Sequence, residues 1–168
     1  IESLVLQTLQ PDEIVIVKDG PLTDKLDAVI DKFNKQYGIF KIVVLEKNVG
    51  LGKALNRGME KCSYELIARM DADDISVHDR FEKQINYFDE FPESVIVGAN
   101  ITEYDEDMQF MISNREVPET AKEIISYSKL RSPFNHVTVV LRKSAVQQAG
   151  GYQDCPYFED YHLWLRML

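Results

Sequence analysis

Cysteine is nearly missing from this chain, and the two present, Cys62 and Cys155, stand far apart with no metal-ligand spacing around them. A disulfide framework and a thiolate metal site are thereby excluded, and a reducing, cytoplasmic setting is the expectation. Basic residues are also in short supply. Only 19 Lys and Arg face 28 Asp and Glu, a formal net charge of −9. A nucleic-acid-binding protein needs a basic face, so no nucleic-acid partner is expected. An anionic nucleotide would need local help from a metal, a lysine or helix ends. No apolar run approaches the roughly 20 residues of a membrane span. Repeats, low-complexity tracts and linkers are absent too, so the 168 residues read as one domain with a two- or three-layer core.

What is present is alternation. Apolar runs at Ile14–Val17, Phe40–Leu45 and Leu66–Met70 read as buried strands. Between them, Leu22 to Tyr37 carries apolar residues at spacings of three and four and is closed by Gly38, and a second helix runs through Cys62. Glu2 to Leu9 also has helical spacing. Strand–helix alternation of this kind predicts an α/β fold with a mostly parallel sheet and helices on both faces. Further on, a helix ending at Pro92 leads to a short strand at Val95–Val97. Ile101–Tyr104 and Gln109–Ser113 then flank acidic residues as a small antiparallel hairpin. A helix over Glu119–Leu130, a strand over Val137–Leu141 and helices at Ser144–Ala149 and Tyr161–Leu168 complete the reading.

The third strand delivers Asp71, Asp73 and Asp74 within four positions. In open α/β sheets, ligands bind beyond the carboxyl ends of strands, which is where these acids fall. Carboxylates so close raise one another's pKa unless positive charge sits between them, and a divalent cation bridging to a phosphate meets that need. Three other readings compete. A solvated turn would use Asp74 or Ser76 to cap the next helix. An EF-hand fails because Ile75 and Ser76 occupy a ligand position and the turn-glycine position. An aspartyl-phosphate phosphohydrolase would use Asp71 as nucleophile and Asp73 as general acid, but no Gly-Asp pair follows Asp74.

Three groups in this order resemble the family 2 glycosyltransferases of the Rossmann-like glycosyltransferase A fold. They are Gln7-Thr8-Leu9 followed by Glu13 to Gly20, then Met70 to Asp74, then Gly150-Gly151-Tyr152 with Glu159 to Arg166. Asn48 to Gly50 and Asn56 to Gly58 add a weaker match. The resemblance implies inverting, metal-dependent transfer of a sugar from a nucleotide diphosphate donor to an acceptor hydroxyl, in polysaccharide or lipid-linked glycan assembly. It also implies a sugar or lipid-linked acceptor and a peripheral place at the cytoplasmic membrane face.

Carried over residue by residue, Asp160 matches the catalytic base, although a helix N-terminal carboxylate reads the same way. Asp73 matches the ligand of Mn²⁺ or Mg²⁺, and Asp71 the residue near ribose and metal. Asp19 matches a nucleobase contact; its other reading is a turn residue before Gly20. Asn48 and Lys53 could reach the nucleotide; read alone they are a loop asparagine and a solvated lysine. Lys18 stands where aspartate is more usual and Leu55 where many relatives have arginine, with Arg57 a candidate substitute. These departures leave room for a non-catalytic module binding a nucleotide or a partner. His136 reads as a structural histidine, and Leu163 and Trp164 as core. The family's sheet contains a central strand between those of Ile14–Val17 and Leu66–Met70. The expected domain, residues 1–168, lacks that first strand and a C-terminal continuation.

Overall fold

β-Branched residues crowd the first two strands because they pack well on a pleated, half-buried surface. β1 (Ile14–Asp19) and β2 (Phe40–Leu45) lie parallel, in register from Ile14 opposite Phe40 to Asp19 opposite Leu45. This computed structural model describes all residues from Ile1 to Leu168. α2 (Asp24–Tyr37) connects the two strands. Thr23 opens it by accepting the Leu26 N–H at 3.4 Å, and Gly38 closes it in the left-handed conformation, φ 68°. A short side-chain acceptor at the start and a glycine just past the end satisfy backbone groups a helix leaves orphaned.

After β2 the chain enters α3 (Leu51–Lys61), which packs against β1. The approach is close: a Cβ on Gly58 would lie 2.8 Å from Val17 Cγ2. β3 (Leu66–Ala68) follows, two residues shorter than the apolar run suggests. The order continues with α4 (Arg80–Glu90), β4 (Ile96–Val97) and the hairpin β5 (Ile101–Tyr104) and β6 (Met111–Arg115). It ends with α5 (Ala121–Tyr127), β7 (Val140–Arg142), α6 (Lys143–Gln148) and α7 (Glu159–Met167).

The parallel pairing expected from sequence holds for β1 and β2 but not beyond. β7 inserts between β3 and β4 and pairs antiparallel with both. Val140 and Leu141 of β7 are almost fully buried, so this late strand and not β3 is the central one. Its own start is delayed relative to the sequence pattern, because His136–Thr138 forms a 3₁₀ turn. The Thr138 hydroxyl there bonds the carbonyls of Asn135, at 2.8 Å, and Ala99, at 3.1 Å, tying the turn down.

α1 (Glu2–Val5) is likewise shorter than its periodicity. Gln7 is buried and its side chain reaches out of the segment, donating to the Val77 carbonyl at 2.7 Å and accepting the Phe81 N–H at 3.1 Å. One glutamine thus pins the first segment to the start of α4.

The main core lies over β7, where Phe134, Val139, Leu141, Val146, Tyr152, Leu163 and Trp164 pack together. The strands read as buried are less covered than that. β1 is half-buried throughout and Val44 of β2 is exposed. The β1 edge away from β2 and the β3 edge away from β7 carry no ladder partner.

The α3–β1 contact is expected to tolerate no side chain at Gly58. Gly58→Val should cost about 1–3 kcal/mol, the usual range for overpacking. Chemical denaturation checks this, and a variant as stable as the parent would refute the close packing.

Candidate functional site

The site is built from the exit of β3 upward. The Arg69 backbone still belongs to the sheet, its N–H donating to the Val139 carbonyl at 2.8 Å. Its side chain is only 8% exposed. Asp71, two residues on, points its carboxylate back onto this guanidinium. Arg69 Nη1 donates to Asp71 Oδ2 at 2.8 Å and Nη2 pairs with Oδ1, a two-point fork. Beneath them lies a second buried arginine. Arg80, from the first turn of α4, donates to the carbonyls of Val137 at 3.1 Å and Arg69 at 3.3 Å.

Above the arginines, Asp71, Asp73 and Asp74 bring carboxylate oxygens within 4.8 Å of one another. Asp73 and Asp74 are exposed. Partial burial pushes the Asp74 carboxyl up, and the charges of Asp71 and Asp73 push it further, against the pull of Arg69 and Arg80. Burial in turn lowers Arg80 to about 10, with Asp74 opposing, so it stays charged at neutral pH. The group of three carboxylates and two guanidiniums sums to −1. All-oxygen donors, exposed and mutually repelling, suit a hard divalent cation such as Mg²⁺ or Mn²⁺. Asp74 does not cap the next helix, nor does Ser76: α4 starts at Arg80 with Asp79 in the cap position.

Asp160 approaches from the opposite end of the chain, half-buried in the first turn of α7. Tyr152, earlier in the chain, is placed by Gly150 and Gly151, both at positive φ. Asn56 of α3 grips the Tyr152 backbone from both sides, donating to its carbonyl at 2.7 Å and accepting its N–H at 2.9 Å. The Tyr152 hydroxyl lies 2.9 Å from His136 Nε2. Burial drives the Tyr152 phenol up; the Arg69 charge opposes this and the Asp160 charge adds to it. Burial, reinforced by Arg69, holds His136 down at about 3, a neutral structural histidine as its sequence position suggested. Arg69 and Asp160, far apart in sequence, thus both act on one phenol.

The remaining candidates sit at the ends of β1 and β2. Asp19 Oδ1 accepts the Val49 N–H at 2.8 Å. Gly20 follows at φ 101°, its missing Cβ leaving 3.1 Å to the Asn48 nitrogen. Asn48 folds on itself, accepting the Gly50 N–H at 3.0 Å. Lys53 is exposed with Asp154 at 3.8 Å, and Arg57 pairs with Glu60 at 3.1 Å. Both lysine and arginine line an open groove of about 580 Å³ between the end of β2 and α3. Lys18 turns away to pair with Asp27 of α2. No hydrogen bond or ion pair joins this group to the three acids. Sequence reasoning missed Arg69 and Arg80; the available signal for Arg69 was a lone charge inside the apolar run preceding the acids, and Arg80, at the start of α4, had none.

The fold is that of the glycosyltransferase A class of nucleotide-sugar enzymes. Solved structures of low identity share it across nearly the whole chain. The mannosyltransferase from Pyrobaculum calidifontis in complex with GDP-Man and Mn²⁺ has a TM-score of 0.70 at 14% identity, covering 99% of this chain and 46% of that one. Staphylococcus aureus TarS in complex with UDP gives 0.71 at 19%, covering 99% and 48%.

Sequence narrows the class further. The family model "Glycosyl transferase family 2" matches residues 1–149, and the chain belongs to that family. The amylovoran biosynthesis glycosyltransferase AmsE of Erwinia amylovora is 46% identical over 100% of this chain and 62% of its own length. UDP-Gal:alpha-D-GlcNAc-diphosphoundecaprenol beta-1,3-galactosyltransferase of Escherichia coli is 37% identical over 100% of this chain and 60% of its own. The chain therefore spans about 60% of the length of these relatives.

The depressed His136 has a consequence for stability. Between about 3 in the fold and about 6.5 when unfolded, the unfolded chain binds the extra proton, so stability rises with pH across that window. Acidifying below about pH 6.5 is expected to cost up to about 1.4 kcal/mol per unit. His136→Gln should flatten that slope in urea titrations at pH 7, 6 and 5; an unaltered slope would contradict a buried neutral imidazole.

Proposed function

We propose that the protein transfers a sugar from a nucleotide diphosphate donor to an acceptor hydroxyl, with inversion at the anomeric carbon and dependence on a divalent metal. Residues 1–168 form the donor-binding and catalytic domain in this reading. The observation that carries it is the cluster of Asp71, Asp73 and Asp74 at the exit of β3, their carboxylate oxygens within 4.8 Å of one another, with the charges of Arg69 and Asp160 both acting on the buried Tyr152. Family membership supports the reaction class. The relatives' roles in amylovoran and diphosphoundecaprenol-linked assembly support a surface-polysaccharide context with a sugar or lipid-linked acceptor. No helix is long and apolar enough to cross a membrane. The proposed place is cytoplasmic, at the inner membrane face.

In this mechanism Asp160 is the general base. It takes the proton of the acceptor hydroxyl as that oxygen bonds to the anomeric carbon and the bond to the diphosphate breaks on the opposite face. The half-buried first turn of α7 suits the role, since the helix N-terminus stabilises the carboxylate until the acceptor arrives. Asp73 and Asp74 would hold Mn²⁺ or Mg²⁺. A divalent ion there supplies positive charge for the departing diphosphate. Asp71 orients the ribose side of the donor, and Asp19, with Asn48 behind it, receives the base. Lys53, exposed on α3, would meet a phosphate approaching along that groove. A phosphohydrolase reading is weaker, because Arg69 grips both oxygens of the required nucleophile, Asp71.

Two substitutions test the assignment in the full-length protein. Asp160→Asn should lower turnover about 10²–10⁴-fold, with donor affinity close to the parent's. A helix-end carboxylate alone is worth about 0.3–1 kcal/mol of stability and nothing in rate. Full transfer activity in this variant would make Asp160 a cap.

Asp73→Asn is expected to weaken metal-dependent binding of a UDP- or GDP-sugar in calorimetry with Mn²⁺ while the fold persists. Unchanged affinity and metal dependence would remove Asp73 from the site. Retained donor binding with no transfer by the parent to any acceptor would favour a non-catalytic binding module.

A further inference from the structure

The three acids stand in different electrostatic positions, and Arg69 is the cause. Both oxygens of Asp71 are engaged by the Arg69 fork, and the arginine is 8% exposed. Its backbone is fixed by the ladder bond to Val139 and by Arg80 donating to its carbonyl. The backbone that carries the guanidinium is thus held by sheet and α4 contacts together. Arg69 Nε is buried with no partner. The side chain therefore puts its two terminal nitrogens on one carboxylate and leaves a third donor unused. Asp73 and Asp74 have no such partner: no hydrogen bond or ion pair within the protein engages either carboxylate.

We propose that Arg69 is a positioning residue that occupies Asp71, so that a divalent cation is held by Asp73 and Asp74 without it. This rests on the functional reading above and extends it to a residue outside the three acids. Two effects follow from the geometry. Asp71 is aimed and partly neutralised, which leaves it an acceptor for the donor and not a third ligand for the ion. The ion is then held by two carboxylates, the number Mg²⁺-type sites typically use when substrate phosphates complete the shell. A third free carboxylate would bind the ion more tightly before the donor arrives. The grip of Arg69 thus keeps nucleotide-free metal affinity low and makes the donor's diphosphate part of the metal site.

The experiment titrates Mn²⁺ into the nucleotide-free, full-length protein and reads free Mn²⁺ by electron paramagnetic resonance, independently of activity. Arg69→Met is expected to tighten Mn²⁺ binding by about tenfold or more, because a carboxylate is freed and a nearby positive charge removed. Arg69→Lys keeps the charge but loses the fork, and should tighten it less, by about threefold. Both should slow transfer at saturating donor. In Arg69→Met combined with Asp71→Asn, Mn²⁺ affinity should return to within about threefold of the parent, since a net-neutral pair has been exchanged for a neutral one. Circular dichroism confirms folding, and the lysine and double variants carry the test if the methionine variant unfolds.

Unchanged or weaker Mn²⁺ binding in folded Arg69→Met and Arg69→Lys would reduce Arg69 to a structural support. So would a tenfold loss in the double variant, which would make Asp71 a ligand. If the parent binds Mn²⁺ and Asp73→Asn does not, the functional reading survives either of these outcomes. If the parent binds no Mn²⁺ even with a UDP- or GDP-sugar present, the metal-dependent reading and this proposal both fall.

Discussion

The two-point pair between Arg69 and Asp71 is the constraint on which the rest of the site depends. A buried guanidinium is costly unless a carboxylate meets it, and three adjacent carboxylates are costly unless cations lie beneath them. Each half resolves the other's problem. The arrangement needs Arg69 held at the end of β3, and β3 is held there by a strand from late in the chain. β7 supplies the ladder, and the Val139 carbonyl extends it to Arg69 itself. The acid motif is therefore not a loop decoration. It is anchored through one side chain to the best-buried strand of the molecule.

The same arginine also acts electrostatically beyond the acids. Its charge reaches His136 and Tyr152, and Tyr152 in turn feels Asp160. His136 is neutral because it is buried beside a fixed cation; a charged imidazole there would place two positive groups together in a low-dielectric interior. Tyr152 is brought in by a backbone grip from α3 and two left-handed glycines. Gly52 of α3 packs close to Glu159, so the same helix braces the start of α7. Packing on α3 thus sets the position of Asp160 as much as its own helix does.

Much of this was legible in residue order. Apolar runs with period and length gave β1, β2 and the helices close to their bounds, because those elements are stabilised by local spacing and caps. Asp71, Asp73 and Asp74 were identifiable because a strand end followed by clustered acids is a local signature. Gly38 as a helix stop and the β5–β6 hairpin were readable for the same reason. Leu163 and Trp164 as core followed from side-chain character alone, and both are fully buried.

What only the tertiary structure decided was pairing. No local pattern in Val137–Leu141 reveals that this segment starts late, becomes the central strand and runs antiparallel to β3, because ladder partners are chosen across long sequence separations. Arg69 was invisible for the same reason. In the sequence it is one charge in an apolar run, and only the meeting of β3 with β7 and α4 buries it beneath the acids. The role of Gln7 was equally hidden, because its side-chain partners Val77 and Phe81 lie far along the chain. Sequence determined which residues could carry the chemistry, since charge and apolar period are properties of the residues themselves. The fold decided which charges are neutralised and which remain available, since burial and proximity exist only after distant segments have packed.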